Sequence, residues 1–175
     1  MKILCIGDSN TYGYDPRSYL GDRYPAEVRW TDRLNGCDVL NYGVNGMTIP
    51  GGHSRYAGLI GMNDPDLVIV MLGTNDLFKS LSAEQIADRM EKFLDSIISE
   101  AKQILLVSPP VLEYGEWVMD DDLVDESQDL GGAYRELADR KGCLFADSAE
   151  WGIEMTYDGV HFSPEGHAVF AQKLG

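Results

Sequence analysis

Five short apolar runs, separated by amphipathic stretches, set the strongest constraint on this chain. They are Lys2–Gly7, Asp38–Tyr42, Leu67–Leu72, Gln103–Val107 and Cys143–Ala146. Near-continuous apolar runs of this length fit strands buried on both faces. The clearest helical pattern begins at Ser82, with Gln85 three residues on, a capping box in which hydroxyl and side-chain amide satisfy orphan backbone N–H groups. Ile86, Met90, Phe93, Leu94, Ile97, Ile98 and Ala101 then recur on one helical face. Glu27–Leu34, the stretch from Gly52 to Met62, Glu126–Lys141 and Pro164–Leu174 are predicted as further helices, with Pro164 suited to a first turn. Strands alternating with helices imply the α/β class. We expect a single three-layer α/β/α domain over residues 1–175, with a five-stranded parallel sheet in the order 2-1-3-4-5. The longest irregular stretch is Ser108–Asp125, a length that in a compact domain marks a functional or mobile loop.

Charge and composition exclude several function classes. The 175 residues carry 29 acids against 14 bases, a formal charge of −15, with no visible basic patch. Phosphate backbones repel such a surface, so nucleic acid and anionic membrane are not expected partners. No run approaches the roughly 18 apolar residues of a membrane span. The first residues show no secretory signal, and Cys5, Cys37 and Cys143 form no C-x-x-C pair. They read as buried free thiols in a reducing cytoplasm, not as a disulfide or zinc site.

Ligands of open parallel sheets bind beyond the carboxyl ends of the strands. Gly7-Asp8-Ser9-Asn10 follows the first run, Asn41-Tyr42-Gly43-Val44-Asn45-Gly46 the second and Gly73-Thr74-Asn75-Asp76 the third, and Asp158-Gly159-Val160-His161 precedes the last helix. These residue types suit acyl transfer by a serine. Such a reaction needs an exposed hydroxyl beside a base, an acid that fixes the base's tautomer, and donors aimed at the developing oxyanion. Ser9 fits as nucleophile and His161 as base, with Asp158 three residues before His161 to orient it. The Ser9 N–H, the Gly43 N–H and the Asn75 side-chain amide are candidate oxyanion donors, glycine at 43 permitting close backbone approach.

These segments match a known pattern. "GDSN", "NYGVNGMT", "GTND" and "DGVHFSPEGH" resemble, in order, the four sequence blocks of the SGNH (GDSL-type) hydrolases and bracket residues 7–167. The resemblance implies a flavodoxin-like fold, metal-free ester hydrolysis without a cofactor, and roles for Ser9, Gly43, Asn75, Asp158 and His161. "EVRWTDRL" and "DPDLVIVMLGTNDLF" resemble the arylesterase and acyltransferase branch, which implies that a homo-oligomer and acyl transfer to alcohols are open to the chain. Asn10 stands where the commonest family form has leucine, and Met47 replaces a frequent aspartate.

Structural readings compete at each position. Ser9 could cap a helix, and Asn75 could hold only its own loop. Asp8, Asp76 and Asp147 read as loop organisers, and His53 and His167 as structural. Asp158 and His161 lack further ligands at a metal-binding spacing. Tyr12, Tyr14, Trp30, Met47 and Trp117 are pocket candidates against core packing, and Tyr12, Met47 and Trp117 are taken as substrate-binding. The expectation is a cytoplasmic serine esterase acting on small acyl esters. A non-catalytic ligand-binding module on the same fold and a metal-dependent phosphoesterase are the alternatives.

Overall fold

The computed structural model describes residues 1–51 and 55–175. Its strands are β1 (Lys2–Gly7), β2 (Asp38–Gly43), β3 (Leu67–Met71), β4 (Ile104–Ser108) and β5 (Leu144–Asp147). Each lies within about a residue of an apolar run. All pair in parallel, in the order β2-β1-β3-β4-β5. The central β1 and β3 are the most apolar because side chains on both their faces are covered. Leu4, Ile6, Val68 and Val70 point to one face, where they pack with α2 (Tyr56–Asn63), α4 (Ala83–Ile97) and α5 (Asp121–Lys141). Ile3, Cys5, Ile69 and Met71 point to the other, against Trp30, Leu34 and Phe170 of α6 (Pro164–Leu174). Each such fully buried aliphatic side chain contributes about 1.5–3 kcal/mol. The remaining helices, α1 (Ser9–Tyr12) and α3 (Thr74–Leu77), are single turns at the ends of β1 and β3.

The helix starting at Ser82 has the expected capping box: the Gln85 N–H donates to Ser82 Oγ and the Ser82 N–H donates to Gln85 Oε1. Three expectations are corrected. Glu27–Leu34 is not a helix; only Trp30–Arg33 forms a 3-10 turn, which buries Trp30 against α6. Helix α5 begins at Asp121, so the irregular stretch ends at Asp120. Asp120 accepts the Asp122 N–H as N-cap, and Asp121 and Asp122 occupy the first turn, where the helix dipole favours carboxylates. Cys5 is buried, but Cys37 and Cys143 are only half-buried. Part of the predicted Gly52–Met62 helix, and His53, lie outside the described residues; the described helix there runs Tyr56–Asn63. No described helix is long and apolar enough to cross a membrane.

His167 sits fully buried on α6, where its Nδ1 accepts the Trp30 N–H at 3.4 Å. Burial, aided by the charges of Arg33 and Arg29, holds its imidazole down to about 3. The ordinary value is about 6.5, so on acidification the unfolded chain takes up this proton first. The contribution of neutral His167 is therefore lost as pH falls from about 6.5 towards 3, by about 1.4 kcal/mol per unit. Urea melts should show the stability advantage of wild type over His167→Gln shrinking across that window. A difference that stays constant with pH would contradict this.

Candidate active site

The nucleophile candidate owes its position to Asp8. Asp8 Oδ1 accepts the Asn10 N–H at 3.0 Å and so caps α1, which frees the Ser9 hydroxyl from that task. Burial pushes the Asp8 carboxyl up to about 6, against the lowering effect of that N–H and of nearby His161. Ser9 Oγ lies 3.0 Å from His161 Nε2, and His161 Nδ1 lies 2.7 Å from Asp158 Oδ2. The other oxygen, Oδ1, accepts the backbone N–H groups of Val160 at 2.8 Å and His161 at 2.9 Å. Burial pushes the Asp158 carboxyl up, but the imidazole contact and these two N–H groups outweigh it and hold the group at about 2. Asp158 is thus an anion across the working range, with its donors already arranged.

Ser9 is 7% exposed and forms the floor of a cleft of about 420 Å³. Tyr14, Asn45, Gly46, Asn75, Phe78 and Trp117 complete its walls, together with Val160 and His161. Tyr14 packs on the His161 ring at 4.7 Å between centroids, and Trp117 meets it edge-on at 5.3 Å. The long loop after β4 is therefore part of the site. Its backbone is fastened to the Asp158 turn, with Glu113, Glu116 and Trp117 N–H groups donating to the carbonyls of Gly159, Tyr157 and Asp158. A larger groove of about 700 Å³ lies away from these residues, beside Met1, Leu34, Cys37 and the end of α6. Among the described residues, no three His, Cys, Asp or Glu side chains are grouped to hold a metal ion.

The loop after β2 is held from α3. Asn75 Nδ2 donates to the Met47 carbonyl at 3.1 Å, which leaves the second N–H of the amide unused by that bond. Asp76 Oδ2 accepts the Ile49 N–H at 2.9 Å, and its other oxygen lies 3.1 Å from Arg89 Nε. This contact is an ion pair without the alignment of a hydrogen bond. Asp76 thus organises the loop. Asp147 does the same at the end of β5, accepting from Ser108 Oγ and the Ala149 N–H.

Among the glycines, the structure departs from the sequence expectation. The Gly43 N–H donates to Asn41 Oδ1 at 2.8 Å, so it does not point free into the cleft. A side chain at 43 would collide with the backbone of Thr11 and Tyr12, so this glycine serves strand-to-helix packing. Gly46, three residues on, lines the cleft. It has φ +71° and open space where a Cβ would be, and it donates to no other described backbone group. Two aromatic and sulfur expectations also change. Tyr12 lies outside the cleft under the Arg23 guanidinium, 4.4 Å from its ring centroid. Met47 turns into the core, where its sulfur approaches Tyr56 Oη at 3.3 Å, and only its carbonyl serves the site. Trp117 lines the cleft as expected. Trp30 is core. Asn45 and Phe78 carry no sequence signal that would have singled them out.

A parallel α/β/α sheet with a serine, an imidazole and a carboxylate in contact beyond its strand ends defines a class: hydrolase-like proteins with a serine relay in an open cleft. The chain belongs to the GDSL-like lipase/acylhydrolase family, whose model matches residues 5–169. It is 28% identical to an arylesterase of Vibrio mimicus over 126 residues, an alignment covering 66% of this chain and 58% of that protein. It is 25% identical to an acetylxylan esterase of Geobacillus stearothermophilus over 98% of this chain and 90% of that one. Among solved structures, the inhibitor-bound aryl esterase of M. smegmatis superposes with a TM-score of 0.86 at 25% identity, covering 99% of this chain and 95% of that chain.

Proposed function

We propose that the protein is a serine esterase that hydrolyses small acyl esters through an acyl-enzyme on Ser9, with residues 1–175 acting as one domain. The observation that carries this reading is the unbroken path Asp158–His161–Ser9, with contacts of 2.7 and 3.0 Å, at the floor of a cleft. His161 takes the hydroxyl proton as Ser9 Oγ attacks the ester carbonyl, then returns it to the leaving alcohol. Asp158 keeps the proton of the resting imidazole on Nδ1 and stabilises the imidazolium. The oxyanion is received by the Ser9 N–H, the Asn75 amide and the Gly46 N–H, the last in place of Gly43. Water then attacks the acyl-enzyme, with His161 again as base. The base must be neutral, so kcat/KM falls on acidification.

The lining supports a neutral, ring-bearing ester. Among the described residues lining the cleft there is no Asp, Glu, Lys or Arg, and Tyr14, Phe78 and Trp117 offer flat apolar faces. The relatives described as arylesterase and acetylxylan esterase fit that choice, and a panel of p-nitrophenyl and acetylated-sugar esters ranks the two alcohol classes. A fluorophosphonate probe tests the reading itself. Stoichiometric labelling mapped to Ser9 is expected. Full activity with residue 9 unlabelled would overturn it.

A further inference from the structure

Asn10, the residue after the nucleophile, is 4% exposed, and four hydrogen bonds converge on it. Its N–H donates to Asp8 Oδ1 and its carbonyl accepts Trp30 Nε1–H, both at 3.0 Å. Its side chain reaches across 150 residues of sequence. Nδ2 donates to the Val160 carbonyl and Oδ1 accepts the Phe162 N–H, again both at 3.0 Å. These two groups flank His161. The carboxamide therefore grips the backbone of the base from both sides, as a neighbouring strand would.

Among the described residues, the other backbone hydrogen bonds of residues 160–162 do not leave their own segment. The Val160 and His161 N–H groups go to Asp158, and the His161 carbonyl accepts the Thr156 N–H. Apart from the serine–imidazole contact itself, the Asn10 carboxamide is the polar link between that segment and the nucleophile's turn. A closed circuit results: Ser9 is bonded to Asn10, Asn10 holds 160 and 162, and His161 returns to Ser9. The 3.0 Å contact from Nε2 to Oγ closes this circuit.

We infer that Asn10 is a positioning residue that holds the His161 backbone in register with Ser9, through its paired hydrogen bonds to Val160 and Phe162. The inference rests on the serine-esterase reading above. An apolar side chain at 10 would leave a buried carbonyl and N–H unpaired, and the segment would shift to find water. Misplacement by about 1 Å costs on the order of 100-fold in rate.

The test compares kcat and KM for p-nitrophenyl acetate, and the rate of fluorophosphonate labelling, in Asn10→Leu and Asn10→Asp. Assays are run well below each variant's melting temperature, with near-UV circular dichroism to confirm folding. Leucine removes both bonds; aspartate keeps the acceptor for Phe162 and loses the donor to Val160. The expected falls in kcat are about 100-fold and about 10-fold, with KM within about 3-fold and labelling slowed in parallel. A purely structural role would lower the melting temperature and leave kcat of the folded protein unchanged. Either folded variant keeping kcat and labelling within about 3-fold of wild type would overturn the inference, as would failure of both to fold. Wild type that is labelled at Ser9 beside unaffected variants refutes only the role of Asn10. Wild type that takes no label refutes the esterase reading.

Discussion

Ser9→Ala should lower kcat by on the order of 10⁴ to 10⁶-fold while leaving the fold and KM close to wild type. In the proposed mechanism the serine oxygen forms the bond to the acyl group, so its loss removes the covalent route. What survives is the cleft and its oxyanion donors, which retain a modest advantage over water. Stability should change little, because among the described residues Ser9 Oγ makes one hydrogen bond, to His161 Nε2, and the N-cap of α1 is Asp8. Losing that bond is worth about 1 kcal/mol. Esterase assays alongside urea melts separate the two effects. A variant that hydrolyses the ester at a rate near wild type would place the chemistry elsewhere.

Asp158→Asn should cost about 10⁴-fold in kcat, again with little change in KM. The loss arises from the imidazole tautomer. In the wild type, Oδ2 is 2.7 Å from Nδ1 and, as a carboxylate, can only accept. That places the imidazole proton on Nδ1 and leaves the Nε2 lone pair facing Ser9. An asparagine can take over Oδ1's two backbone N–H groups with its oxygen, which turns its NH₂ towards Nδ1. The ring must then accept at Nδ1 and carry its proton on Nε2, where it cannot accept from the serine. Fold and cleft persist while the base is switched off. Steady-state kinetics on the folded variant check this, and a loss of only a few-fold would show that Asp158 does no more than tie its own turn.

Much of the fold, and the segments that form the candidate site, are legible in the sequence. The strands are legible to about one residue because the inner ones, such as β1 and β3, are covered on both faces and are apolar nearly throughout. The contact between Ser9 and the Asp158–His161 segment is legible because sites of open parallel sheets lie beyond the strand ends, where these two distant segments can meet. The errors have local causes. Asp120-Asp121-Asp122 looks like a solvated loop, and only the cap geometry shows that it starts α5. Glu27–Leu34 has a helix-like spacing, but burial of Trp30 under α6 outweighs it and leaves a 3-10 turn. Gly43 and Gly46 are indistinguishable as types. The choice depends on Asn41, whose side chain takes up the Gly43 N–H, and on a left-handed turn that brings Gly46 to the cleft. Met47 and Tyr12 differ from expectation for a similar reason: a side chain's direction at a strand-to-loop exit is set by its packing neighbours. Asn10 appeared only as a departure from a family pattern. Its partners lie 150 and 152 residues away in sequence, beyond the reach of any local signal.

The most direct measurement is rapid-quench mass spectrometry during turnover of a small activated ester, with the modified peptide identified. One acyl group, on Ser9, is expected to form within the first turnover and to disappear as substrate runs out. Acylation of another residue, or turnover without any acylated protein in a sample where Ser9→Ala is as active as wild type, would contradict it.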